Sequence, residues 1–156
     1  MRLWHKDLIP VLPRQQLVAQ WRELCCIAKN IATNGEPNHI LVNKVLDYSS
    51  SDFILYSALV RAEMALRGYT LGKKAEREFE KNLKAGAIHF VSYASHVMHS
   101  LYEGWHDDRY LLQCYFNLQE KYDCGGITDE EWLKIRCLVQ DRLSKYSFHT
   151  DMLNLL

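Results

Sequence analysis

The stretch Leu17-Val-Ala-Gln-Trp21-Arg-Glu-Leu24-Cys-Cys-Ile-Ala28-Lys-Asn-Ile31 places apolar side chains at positions 17, 21, 24, 28 and 31. Steps of three and four residues follow one face of an α-helix, whereas a half-buried strand would alternate every second residue. Pro13 suits a first-turn position, and Asn34-Gly35 supplies a stop. Ahead of this helix the spacing leaves a short extended arm containing Pro10 and Pro13.

The same period recurs downstream. Residues 36–50 form a long connection with one short apolar run, Ile40, Leu41 and Val42. Ser50, Ser51 and Asp52 are candidate caps for a second helix over 53–67, with Ile54, Leu55, Leu59, Met64 and Leu66 apolar and Gly68 just past its end. Residues 73–84 read as a charged surface helix with Phe79 and Leu83 as its core positions, ending at Gly86. Residues 87–102 are apolar and aromatic; their start would suit a strand, but their length favours a buried helix. Asp107 or Asp108 opens a further helix to about Lys121, and residues 123–126 form a turn. Thr128-Asp-Glu-Glu131 is a capping box that starts a last helix to Lys145, with Trp132, Ile135, Leu138, Val139 and Leu143 on its apolar positions. The expected fold is therefore all-α: one domain over residues 1–156, a bundle of about five to six helices with an extended N-terminal arm.

Composition bounds the function. A chain of 156 residues with 48% hydrophobic and 24% charged side chains has enough apolar material for a real core. No run of eighteen apolar residues exists, and Met-Arg-Leu-Trp-His-Lys-Asp lacks the pattern of a signal peptide, so no membrane association and a cytoplasmic location are expected. Five cysteines at irregular spacing, with no CxxC pair, point to reduced thiols and give no support to a cysteine zinc site. Nineteen basic residues balance nineteen acidic ones, but the balance is uneven: residues 1–45 hold six basic side chains against three acidic. The positive end is the N-terminal end.

The chain has no P-loop, no dinucleotide-binding glycine pattern, no HExxH and no GxSxG, which removes large enzyme classes. His96 and His99 lie one helical turn apart, but their surroundings are apolar and no carboxylate follows at helical spacing, so a core or interface role is favoured over metal ligation. Trp105-His106-Asp107-Asp108 reads as a helix start, because aspartate suits a first turn.

The N-terminal segment carries a more specific signal. Arg2, a short arm, and then Leu12, Gln15, Leu17, Ala19 and Arg22-Glu23-Leu24 resemble the N-terminus of the phage-type pyrimidine-dimer DNA glycosylases, small helical proteins that are also abasic-site lyases. Val45-Leu-Asp-Tyr48 and Leu66-Arg-Gly-Tyr69 resemble the family's next helix and its end. The resemblance covers roughly residues 1–70, leaving 71–156 as a helical extension. Within it His106-Asp-Asp, Tyr110 and Asn117-Leu118 look like a cellular branch of the family whose function is poorly defined.

The resemblance implies a DNA-repair enzyme acting on damaged double-stranded DNA without metal or organic cofactor. Its nucleophile would be the N-terminal amine. An α-amine has a reference pKa of ~7.7 to 8.0, so part of it is unprotonated near neutral pH. Arg2 is too large for removal of the initiator methionine to be expected, which makes Met1 the nucleophile and Glu23 its assisting carboxylate. Arg2 and Arg22 would hold phosphates, with Arg14 and Lys6 as further basic contacts. Two other readings accompany this one. The chain is a noncatalytic DNA- or protein-interaction module that offers Tyr102, Trp105 and Phe116 to a partner, or a nuclease using a carboxylate-bound metal. Taken without the resemblance, Arg22-Glu23 is ordinary surface charge on an amphipathic helix.

Overall fold

A computed structural model describes residues 2–86 and 101–144. Among these residues the chain is all-α, with five α-helices and two 3-10 helices and no strand. The α-helices are α1 (Arg14–Asn34), α2 (Ser50–Leu66), α3 (Lys73–Ala85), α4 (Asp108–Asp123) and α5 (Asp129–Ser144), and the 3-10 helices span Lys6–Val11 and Asn43–Asp47. The chain divides into two compact units, one of Met1–Leu3 with Gln15–Glu103 and one of Trp4–Arg14 with Gly104–Leu156.

In the first unit, α1 buries Leu17, Gln20, Trp21, Leu24, Ile27 and Ala28, a stripe broad enough to face several partners. Gly35, at φ +79°, ends it in the left-handed conformation that glycine adopts without a Cβ clash. Trp21 packs on Phe79 of α3 at 5.0 Å between ring centroids, and Phe53 of α2 meets the same Phe79 at 6.3 Å. Three helices thus share one aromatic contact. Arg61 of α2 lies 5.8 Å over the Trp21 ring and pairs with Glu76 of α3 at 3.1 Å.

The connection between α1 and α2 is tied down. Asn30 donates to the carbonyl of Pro37 at 2.8 Å, and the side chain of Asn43 accepts from the amide of His39 at 3.0 Å. Val42 is buried, while Ile40 and Leu41 of the same run point into solvent.

Helix α2 begins three residues earlier than its sequence suggests. Ser49 is the cap, its hydroxyl accepting from the Ser51 amide at 3.2 Å. Asp52 is engaged elsewhere: it is buried and accepts from the backbone amide of Tyr102 at 3.3 Å. The inward face of α2 also differs, being Phe53, Ile54, Tyr56, Ser57, Val60 and Met64, whereas Leu55 and Leu66 are exposed.

In the second unit the arm is not extended throughout. Lys6–Val11 winds into a 3-10 helix that accommodates Pro10 and buries Leu8 and Ile9. A 3-10 turn here lets two consecutive aliphatic side chains enter the core. Asp107 caps α4 by accepting from the Tyr110 amide at 2.8 Å. The predicted capping box of α5 is present: the Glu131 amide donates to the Thr128 hydroxyl at 3.3 Å, and the Thr128 amide donates to the Glu131 carboxylate at 3.1 Å. Trp132 of α5 stacks between Tyr115 and Tyr122 of α4, at 5.0 and 5.2 Å.

The burial pattern removes two of the three aromatic residues expected on a partner face. Tyr102 and Trp105 are core residues, and only Phe116 is exposed. The expected helix over 87–102 and its histidines, His96 and His99, fall largely or wholly outside the described residues.

Candidate active site

The backbone at Arg2 meets α1 at one carboxylate. The backbone N–H of Arg2 donates to Oε2 of Glu23 across 3.0 Å. The rotation of α1 sets this up, because Leu17, Leu24 and Ile27 are fully buried and the neighbouring Glu23 is left half-buried at the edge of the stripe. Arg22, one residue round the helix, projects into solvent. Leu3 is buried next to Arg2 in sequence, which fixes where the chain enters. A carboxylate that accepts one backbone hydrogen bond keeps further lone pairs for a second donor.

Behind Glu23 lies a buried polar layer that the sequence pattern did not reveal. Gln20, one turn earlier on α1, is fully buried and accepts from the Tyr56 hydroxyl of α2 at 3.1 Å. Tyr56 packs on Tyr102 at 5.9 Å, and Tyr102 meets Tyr48 edge-on at 5.5 Å. Burial, reinforced by the Asp52 carboxylate, pushes the Tyr102 phenol well above its ordinary range. A glutamine on an otherwise apolar helix stripe was the available signal, since buried amides require partners.

The second unit holds its own cluster. His5 and His106 stack at 5.1 Å, with Tyr110 at 6.3 Å from His5 and 5.2 Å from His106. Nδ1 of His5 accepts from the Asp7 amide at 3.2 Å, and Nδ1 of His106 accepts from the Lys6 amide at 3.0 Å. Both rings are therefore held as the neutral tautomer with the proton on Nε2. Burial lowers the His5 imidazole below its ordinary value. Arg142 of α5 approaches Asp7 at 3.4 Å and Asp108 at 3.6 Å.

The sequence-derived residues divide accordingly. Arg2 and Glu23 are hydrogen-bonded, with Arg22 adjacent on α1, all in the first unit. Met1 lies outside the described residues. Lys6 and Arg14 belong to the second unit, where Lys6 opens the 3-10 helix and Arg14 is exposed at the start of α1. Among the described residues no group of three or more His, Cys, Asp or Glu side chains is placed to hold a metal ion, and no helix is long and apolar enough to cross a membrane.

No curated protein matches the chain, and no solved structure matches it. The family model of pyrimidine dimer DNA glycosylase matches residues 1–77, the span that contains Arg2, Arg22, Glu23 and α2. Over those residues, just under half of the chain, it is similar to the pyrimidine dimer DNA glycosylase family, which supports a function of the DNA glycosylase type with DNA as substrate.

Proposed function

We propose that the protein is a DNA glycosylase and abasic-site lyase that acts on damaged duplex DNA through its N-terminal amine, with Glu23 as the assisting carboxylate. The observation that carries this reading is the hydrogen bond from the Arg2 amide to Glu23, which holds the start of the chain at a carboxylate.

In the proposed reaction the Met1 α-amine attacks C1′ of the damaged nucleotide. The nitrogen–C1′ bond forms, and the glycosidic bond breaks with its electron pair leaving on the base, which takes up a proton. Glu23 balances the positive charge that develops on the sugar and passes the proton lost from nitrogen to O4′ as the ring opens to an imine. Removal of a C2′ proton then expels the 3′ phosphate, and water hydrolyses the imine to restore the amine. Arg2 and Arg22 hold flanking phosphates, with Lys6 and Arg14 as further basic contacts. The chemistry needs no metal or organic cofactor, and we place it in the cytoplasm, where the five thiols stay reduced.

Blocking the amine tests the proposal. A chain with a natural terminus should nick an abasic-site duplex, and one acetylated or extended ahead of Met1 should not. Full cleavage by the blocked protein would assign the reaction to another group.

A further inference from the structure

Helix α3 has a charge distribution that neither its packing nor the Glu23 site uses. Its inner face is Phe79 and Leu83. Of its three carboxylates, Glu76 is paired with Arg61 at 3.1 Å, and Glu78 lies 3.9 Å from the Lys81 ammonium. Opposite Phe79 and Leu83, at four- and three-residue steps, stand Lys73, Arg77, Lys81 and Lys84, all exposed, with Lys74 beside them. Glu80 is the carboxylate at the edge of this arc, so the arc is strongly positive on a chain with equal numbers of basic and acidic residues. At ~1.5 Å rise per residue the four cations span roughly 17 Å. One DNA strand presents a phosphate about every 3.4 Å of helix axis, so the row extends along about five base-pair steps, room for each of the four cations to meet a phosphate.

Between α3 and α1 runs a groove that none of the four cations lines. It is lined by Cys25, Cys26 and Lys29 on one side and by Ala75, Glu78, Phe79 and Asn82 on the other. Lys29 lies two helical turns after Arg22 on the same exposed face of α1. Arg22 with Lys29 on α1 and the cation row on α3 are therefore two separate exposed basic surfaces of the first unit.

We propose that the exposed face of α3, Lys73, Arg77, Lys81 and Lys84, is a second contact for the sugar-phosphate backbone of duplex DNA, separate from the Glu23 site. This rests on the DNA-directed reading above. It adds a surface that extends beyond the family match, since Lys81 and Lys84 follow residue 77. DNA is favoured over an anionic membrane because the apolar side of α3 is buried, which leaves nothing to enter a lipid interface.

The test is a salt titration of duplex binding by the full chain, wild type against the fourfold variant Lys73→Gln, Arg77→Gln, Lys81→Gln, Lys84→Gln, with helicity checked by circular dichroism. Each lost phosphate contact should flatten the plot of log affinity against log salt by about 0.9, so the variant should lose about 3 to 4 in slope. The double variant Lys81→Gln, Lys84→Gln should lose about half of that, which covers the case of a fourfold variant that does not fold. At saturating DNA the variant should cleave at the wild-type rate, because α3 is not part of the chemistry. A folded variant that binds with the wild-type slope overturns the α3 contact and leaves the proposed reaction standing. Wild-type protein that binds duplex but never cleaves it overturns the reaction and leaves the contact standing, and failure to bind duplex at any salt overturns both. If the variant loses binding to phosphatidylserine vesicles while its duplex binding is unchanged, the surface belongs to a membrane and the proposal is wrong.

Discussion

The backbone N–H of Arg2 and the Oε2 of Glu23, twenty-one residues apart, are joined across 3.0 Å. That bond holds the Arg2 backbone against a carboxylate on a rigid helix, which supports the proposed role of Glu23. Glu23→Gln keeps an oxygen that can accept from Arg2, so the fold should survive. Removing the ionisable group should lower abasic-site cleavage about 10²- to 10⁴-fold, the usual contribution of a positioned acid or base. Single-turnover kinetics with unchanged thermal stability would bear this out; wild-type cleavage by the variant would remove Glu23 from the mechanism.

Acid should loosen the second unit. His5 is fully buried, and burial holds its imidazole below the ordinary 6.5, with a hydrogen bond to the His106 backbone and the Asp7 charge opposing that shift and Lys6 and Arg142 adding to it. Above that ordinary value both folded and unfolded chains carry a neutral ring. Below it the unfolded chain takes up a proton that the folded chain refuses, so stability falls until the pH reaches the folded pKa. His5→Asn should remove most of this dependence, because the amide oxygen can still accept from Asp7. The check is Tm between about pH 7.5 and 5, where equal slopes for both proteins would count against the buried imidazole.

The neighbouring cysteines of α1 should react at different rates. Cys25 is half-buried, and burial, helped by Cys26, raises its thiol to about 11, leaving almost no thiolate at neutral pH. Cys26 is exposed. Iodoacetamide followed by peptide mapping should find Cys26 alkylated well before Cys25, whereas equal labelling would mean that α1 is rotated.

Leu24 is fully buried on the stripe that orients Glu23. Leu24→Ala should cost about 2 to 5 kcal/mol in denaturant unfolding, the range for a truncated core leucine. A loss below 1 kcal/mol, typical of surface positions, would show that the stripe does not pack as described.

Most helices were legible because their ends carry local chemistry. The Thr128–Glu131 box, Asp107, Gly35, Gly68 and Gly86 all mark real boundaries. Helix α2 was harder: it is apolar almost all round, so its composition does not say which side is inside, and Leu55 and Leu66 proved exposed. The arm read as extended because Pro10 breaks α-helical expectation, yet a 3-10 helix tolerates it. At the candidate site, Arg2, Arg22 and Glu23 could be named from sequence, while the hydrogen bond between Arg2 and Glu23 depends on tertiary packing. Gln20–Tyr56 and His5–His106 were not visible, because pairs so far apart in sequence have no local signature.

The central claim is that the N-terminal amine is the nucleophile. Incubating the unblocked protein with an abasic-site duplex and sodium borohydride, then sequencing the adduct peptide by mass spectrometry, addresses it directly. The account predicts a reduced sugar adduct on the α-nitrogen of the N-terminal peptide and none on lysine; a folded protein with a free terminus that yields no adduct, or one on a lysine side chain, would contradict it.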